Sequence, residues 1–108
     1  MGIGPVPAIR MLLARIGWVL DSVEHIEINE AFAAQVLACT RGLGLSDDDS
    51  RVNPFGGAIA LGHPLGASGA RLAMQAAMSL QRGNASRAIV SLCVGAGQGV
   101  AMALEAVN

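Results

Sequence analysis

Residues 56–71 read Gly-Gly-Ala-Ile-Ala-Leu-Gly-His-Pro-Leu-Gly-Ala-Ser-Gly-Ala-Arg, an apolar, glycine-rich stretch holding one imidazole between Gly62 and Pro64. Glycine removes the Cβ that keeps backbone N–H groups away from a ligand, so such a loop brings its main chain close to whatever it binds. Pro64 fixes the backbone after His63 and biases His63 itself toward an extended conformation. From Gly66 onward the residues become helix formers. The loop therefore feeds a helix N-terminus, where unpaired N–H groups favour negative charge. His63 is either a hydrogen-bonded packing residue in a tight turn or a functional group in a cleft.

The chain has 108 residues, enough for one domain with a modest core. Its hydrophobic fraction of 53% is high and its charged fraction of 14% low, so part of its apolar surface is expected to pack against something else. A net charge of −1 with no basic block argues against nucleic acid as partner. No apolar run reaches the length of a membrane span. Cys39 and Cys93 are too far apart for a zinc cluster and do not form a secreted disulfide framework, which points to a reducing interior.

In chain order, Pro7 suits a first helical turn, and Ile9, Leu12, Leu13 and Ile16 recur on one face up to the stop at Gly17. Residues 23–28 alternate as a short strand, with Ile26 and Ile28 inward and His25 and Glu27 on a solvated face. Asn29 follows at the strand's carboxyl end, as helix cap or ligand-facing group. Residues 30–41 predict a helix with Phe32, Val36, Leu37 and Thr40 as its packed stripe and an inert Cys39. Residues 42–55 form a linker whose Asp47, Asp48 and Asp49 read as solvated, and no metal site is expected. Residues 67–81 predict a long helix with Met74 and Met78 as core filler. Residues 87–94 predict a buried strand and residues 100–107 a second, hairpin-like partner. The order helix, strand, helix, loop, helix, strand, strand argues a layered α/β sheet covered by helices.

Two nucleotide motifs fail. Gly95, Gly97 and Gly99 have the wrong spacing for a dinucleotide fingerprint, and residues 62–69 lack a P-loop lysine. Asn29, His63 and Cys93 remain, each at or beside a strand end. Cys93 is either a core thiol or the partner of His63 in acyl transfer, with the Gly95 N–H facing a developing oxyanion.

At these residues the chain resembles the thiolase family, in its carboxyl-terminal part. The matching pieces are residues 29–33 (Asn-Glu-Ala-Phe-Ala), 56–71, 93–99 (Cys-Val-Gly-Ala-Gly-Gln-Gly) and the lead-in 1–8. The resemblance covers essentially the whole chain. It implies an acyl-CoA C-acyltransferase that makes and cleaves 3-ketoacyl-CoA, with coenzyme A as substrate and no resident cofactor. His63 would activate a nucleophilic cysteine and bind a thioester oxygen. Asn29 would hold a water at that oxyanion site, Cys93 would move the α-proton, and Gly95 would serve the acyl-enzyme oxyanion. Phe32 and the stretch containing Gly57, Ala58 and Leu61 would line the pantetheine path.

The acyl-accepting cysteine of the family belongs to an amino-terminal half that this sequence does not contain. The expectation is thus a half-fold of residues 1–108, inactive alone, lacking the first strand of its sheet. That strand would lie between those formed by residues 23–28 and 87–94, so two unpaired ladder edges are expected. Phe55 and Ala96 depart from the family pattern, and residues 52–54 (Val-Asn-Pro) with Ala96 look like the β-ketoadipyl-CoA thiolase branch. The resemblance also implies an oligomer and a cytoplasmic location, or a mitochondrial or peroxisomal one in a eukaryote. The alternative is a non-catalytic thiolase-like domain that binds CoA esters or pairs with thiolase subunits.

Overall fold

The structure, a computed structural model, describes residues 2–64, 66–94 and 98–107. Helix α1 (Pro5–Ile16) leads through a 3-10 turn at Leu20–Ser22 into strand β1 (His25–Ile28). Helix α2 (Ala33–Gly42), the short α3 (Ala58–Leu61) and α4 (Ser68–Gln81) precede strands β2 (Arg87–Val94) and β3 (Gln98–Glu105).

The three strands lie in the order β1-β2-β3. β1 runs parallel to β2, with His25 opposite Ala88 and Ile28 opposite Ser91, and β2 pairs antiparallel with β3. The expected gap between the first two strands is therefore absent, because their ladder is closed by direct hydrogen bonding. On its other edge β1 meets residues 51–53. The Ile26 N–H donates to Arg51 O, the Asn53 N–H donates to Ile26 O, and Ile26 bridges Val52 in parallel. Both edges of β1 are covered, which removes the association hazard of an open strand.

Side chains alternate across the sheet and build two cores. One face carries Ile26, Ile28 and Ile89 against Val6, Ile9 and Cys39 of α1 and α2. The other carries Ala88 and Val90 against Leu72 and Ala76 of α4. A strand so covered has no solvated face. His25 is buried, not solvated as expected, and its Nε2–H donates to the buried Glu27 carboxylate at 2.6 Å.

Other boundaries shift for local reasons. α1 begins at Pro5, two residues early, since either proline suits a first turn, and Ile16 at its end is exposed. α2 begins only at Ala33. Phe32 stays extended before it and is 67% exposed, so it is no part of the packed stripe. Leu37 is exposed too; Thr40 and the partly buried Val36 face inward as expected, joined by Gln35 and Cys39. Met74 is exposed on α4, where Leu72 and Ala76 already fill the space facing the sheet. β1 starts at His25, two residues late, and β3 spans Gln98–Glu105, two residues earlier than expected. Asp47 and Asp49, as expected, sit in a surface loop, each paired with an arginine (Arg41 and Arg51).

Candidate functional site

Asn29 follows the last residue of β1, where its N–H donates to Ser91 O at 2.9 Å and continues the ladder. Its buried side chain shares the α4 face with His25 and Glu27, by alternation along the strand. The glycine loop returns to this point after α3. Gly62, at φ +91, is the C-terminal cap of α3 and turns the chain into His63 and Pro64. The Pro64 carbonyl then accepts from the N–H groups of Ala67 and Ser68 and closes the loop onto the start of α4.

That closure places three side chains in line. Asn29 Nδ2 donates to His63 Nε2 at 3.4 Å, and His63 Nδ1 lies 2.5 Å from Ser68 Oγ. Ser68 Oγ also donates to the Pro64 carbonyl at 3.3 Å, so it accepts from His63 and the ring proton sits on Nδ1. The Nε2 lone pair is then the one that accepts the long contact from Asn29, on an exposed ring whose orientation is fixed from behind. Asn29 Oδ1 is buried with no hydrogen-bond partner among the described residues. The arrangement offers one base and one unused acceptor, held by a buried serine that nothing in composition or periodicity singled out. The only sequence signal for Ser68 is its place at the helix start, five residues after the histidine.

Cys93 is not brought to this pair. In register opposite Gly99, it has the parity of Ile89 and Ser91, which puts its half-buried side chain on the α1/α2 face. Cys39 lies on that face too, its thiol pushed up by burial, an effect that the hydrogen bond from Gln35 partly offsets. Cys39 donates to Gly2 O at 3.3 Å and is fully buried. Gly95, expected at the oxyanion site, lies outside the described residues. Of the expected pantetheine-lining groups, Phe32 and Leu61 are exposed, while Ala58 is buried in the first turn of α3.

Glu30 was not singled out by the sequence reading, yet it is central to the loop. Its Oε1 accepts from the Ile59 N–H at 3.1 Å and its Oε2 accepts from Asn53 Nδ2 at 3.3 Å. Asn53 in turn donates to Ile28 O and accepts from Ile28 N–H, both at 2.9 Å. No helix among the described residues is long and apolar enough to cross a membrane, and no cluster of three metal-ligating side chains occurs among them. A groove of about 530 Å³ between α1 and α2, beside Arg10 and Met11, does not include His63.

The family model described as the thiolase C-terminal domain matches residues 1–106. A β-ketoadipyl-CoA thiolase of Pseudomonas knackmussii is 61% identical over 107 residues, covering 99% of this chain and 27% of that protein. The cytosolic acetyl-CoA acetyltransferase of Rattus norvegicus is 50% identical over 105 residues, 97% of this chain and 26% of that one. Human mitochondrial 3-ketoacyl-CoA thiolase in complex with CoA superposes with a TM-score of 0.93 at 46% identity, covering 99% of this chain and 27% of that one. The chain thus spans about a quarter of the length of the proteins it matches.

Proposed function

The chain belongs to the thiolase family, through its C-terminal domain, and from that premise we propose that it supplies the acid–base half of an acyl-CoA C-acyltransferase site. The observation that carries this reading is the Asn29–His63–Ser68 line, which fixes the His63 ring at the carboxyl end of β1 with Nε2 turned to Asn29. A thioester-forming enzyme needs a base to take the proton of a cysteine thiol, and a fixed donor for the oxygen on which charge develops.

In the proposed cycle, His63 Nε2 takes the proton of a cysteine contributed by an amino-terminal half. The thiolate adds to the 3-keto carbon of a 3-ketoacyl-CoA. The bond between C2 and C3 breaks, the acyl group stays on sulfur, and the electron pair passes to C2 of the departing acetyl-CoA enolate. Cys93 donates the proton that completes it. The Cys93 thiolate then takes the proton of a free CoA thiol, whose sulfur adds to the acyl-cysteine carbonyl. The bond to the cysteine sulfur breaks, the shortened acyl-CoA leaves, and His63 returns its proton to the freed cysteine. Asn29 Oδ1 is the acceptor that holds a water beside the enolate oxygen. For its role Cys93 must reach the α4 face around the end of β2, just beyond which residues 95–97 fall outside the described set. Substrates of the β-ketoadipyl-CoA type, from aromatic catabolism, are favoured by the 61% identity to a thiolase of that name.

The test is thiolysis of 3-oxoadipyl-CoA with free CoA. It is run with the chain alone, then with the chain joined to the remaining sequence of the Pseudomonas knackmussii relative, each with a His63→Ala control. Turnover only in the joined protein, lost with His63→Ala, supports the proposal. CoA-ester binding without turnover in either form leaves the non-catalytic domain as the correct reading. That reading is favoured by one observation, the placement of Cys93 across the sheet from His63.

A further inference from the structure

Helix α3 is four residues long, too short to hold itself, and its N-cap Gly57 has no side chain with which to accept a backbone N–H. The acceptor comes from elsewhere. Glu30, next to Asn29 in sequence, turns its carboxylate onto the start of α3 and takes the Ile59 N–H on Oε1. Its Oε2 is held by Asn53, whose amide is fastened to both main-chain groups of Ile28 at the end of β1. Asn53 is the single described non-glycine residue with positive φ, +46, a conformation asparagine tolerates well. The backbone of Gly57 runs so close to the carboxylate that a Cβ there would lie 2.5 Å from Glu30 Oε1. Two residues beyond the last residue of α3 comes His63.

We infer that Glu30 is a positioning residue for His63: its carboxylate locks α3 to the end of β1 and so sets the approach of the imidazole to Asn29. The inference rests on the reading of His63 as the acid–base group. The Glu30 carboxylate is occupied by the loop itself, so it transfers no proton in the reaction. Its effect on chemistry passes through the orientation and tautomer of the His63 ring.

The experiment reads the His63 ring directly, by long-range ¹H–¹⁵N NMR on the 108-residue chain, without turnover. The native chain is expected to show the Nδ1–H tautomer, which the Ser68 contact favours. Glu30→Ala is expected to average the two tautomers and to speed exchange of the Ile59 amide about tenfold or more, as local opening becomes easier. Glu30→Gln keeps an acceptor for Ile59 and is expected to retain the native signature.

Gly57→Ala displaces the carboxylate without removing it and is expected to reproduce the Glu30→Ala spectrum. Added to Glu30→Ala, it should change nothing further, since the group it clashes with is gone. An unaltered Nδ1–H signal in Glu30→Ala overturns the inference, as does full additivity of the two substitutions. Should Glu30→Ala unfold the chain, Gly57→Ala alone decides, and a native ring signal there is equally fatal. Loss of the tautomer in a chain whose joined form has no thiolysis would refute the enzymatic reading and leave the positioning role standing.

Discussion

His25 and Glu27 stand two residues apart on β1 and join Nε2 to Oε2 at 2.6 Å, both side chains buried beneath α4. Glu27 Oε1 has no partner among the described residues, so this pair is already one hydrogen bond short. Removing His25 leaves the whole carboxylate stranded. His25→Leu is expected to cost on the order of 3–5 kcal/mol, as for a buried pair with one member removed. The double replacement His25→Leu/Glu27→Leu is expected to recover part of that loss, because no polar group is then left unpaired. Urea denaturation of the three variants checks the order, and a double variant less stable than His25→Leu contradicts it.

Ser68 Oγ accepts a hydrogen bond from His63 Nδ1 and donates one to the Pro64 carbonyl. Ser68→Ala frees the ring to rotate and to change tautomer. The expected result in the joined protein is loss of much of the roughly 10²–10⁴-fold that a positioned general base contributes, seen in kcat more than in KM. Steady-state thiolysis kinetics measure the split. A variant that changes KM alone would mean that Ser68 shapes binding and leaves the base untouched.

The path from sequence to this site was legible where a residue's meaning is local. Asn29 could be placed at a strand end, and His63 in a loop stripped of side chains, from neighbours alone. Ser68 and Glu30 could not, because their importance arises only when the chain doubles back and puts Ile59 and His63 beside them. His25 shows a second limit. Period-two alternation assigns a polar residue to solvent only if one face of the strand is open, and β1 is covered on both faces by helices and along both edges by chain. Cys93 shows a third. Its position beside three glycines suggested a cleft, but strand pairing continues to Val94 and fixes its parity with Ile89.

Asp49 and Arg51 make a forked pair, and the guanidinium also donates to Leu20 O and Val23 O, tying this loop to the turn before β1. The hydrogen bond from the Arg51 side chain, helped by its backbone N–H, holds the Asp49 carboxyl below its usual value. A lowered pKa in the folded state means stability present above the ordinary aspartate range and lost as pH falls through the lowered value. Asp49→Asn is therefore expected to cost about 1 kcal/mol or less at neutral pH, and to flatten the acid limb of the stability curve below about pH 4. Thermal unfolding between neutral and acid pH provides the comparison. A constant difference between the two proteins at all pH values would count against the pairing.

Cys39 and Cys93 differ in access as much as in place. Burial raises the Cys39 thiol, so it stays protonated at neutral pH, and its side chain is sealed against Gly2 and Gln35. Cys93 is half-buried, one residue before the end of β2. Iodoacetamide at neutral pH is expected to modify Cys93 at least tenfold faster than Cys39, since the thiolate is the reactive form and must be reached. Peptide mass mapping after limited alkylation measures the ratio. Equal labelling would mean that the α1/α2 face opens readily in solution.

Gly4 and Gly99 pass each other where the start of α1 crosses the start of β3. A Cβ on Gly99 would lie 2.1 Å from Gly4 O, and one on Gly4 would lie 2.2 Å from Gln98 O. Both obstacles are backbone, so neither can move aside as a flexible side chain would. Gly99→Ala must therefore push α1 off the sheet, and is expected to cost about 1–3 kcal/mol or more, as overpacking does. Gly69, on the first turn of α4, gives the opposite sign. No described residue lies within 4 Å of its added Cβ, so Gly69→Ala is expected to stabilise the chain by roughly 0.5–1 kcal/mol through reduced backbone entropy in the unfolded state. The two alanines, one methyl each, thus move the unfolding midpoint in opposite directions. A Gly99→Ala variant as stable as the native chain would mean that α1 does not rest on β3 as described.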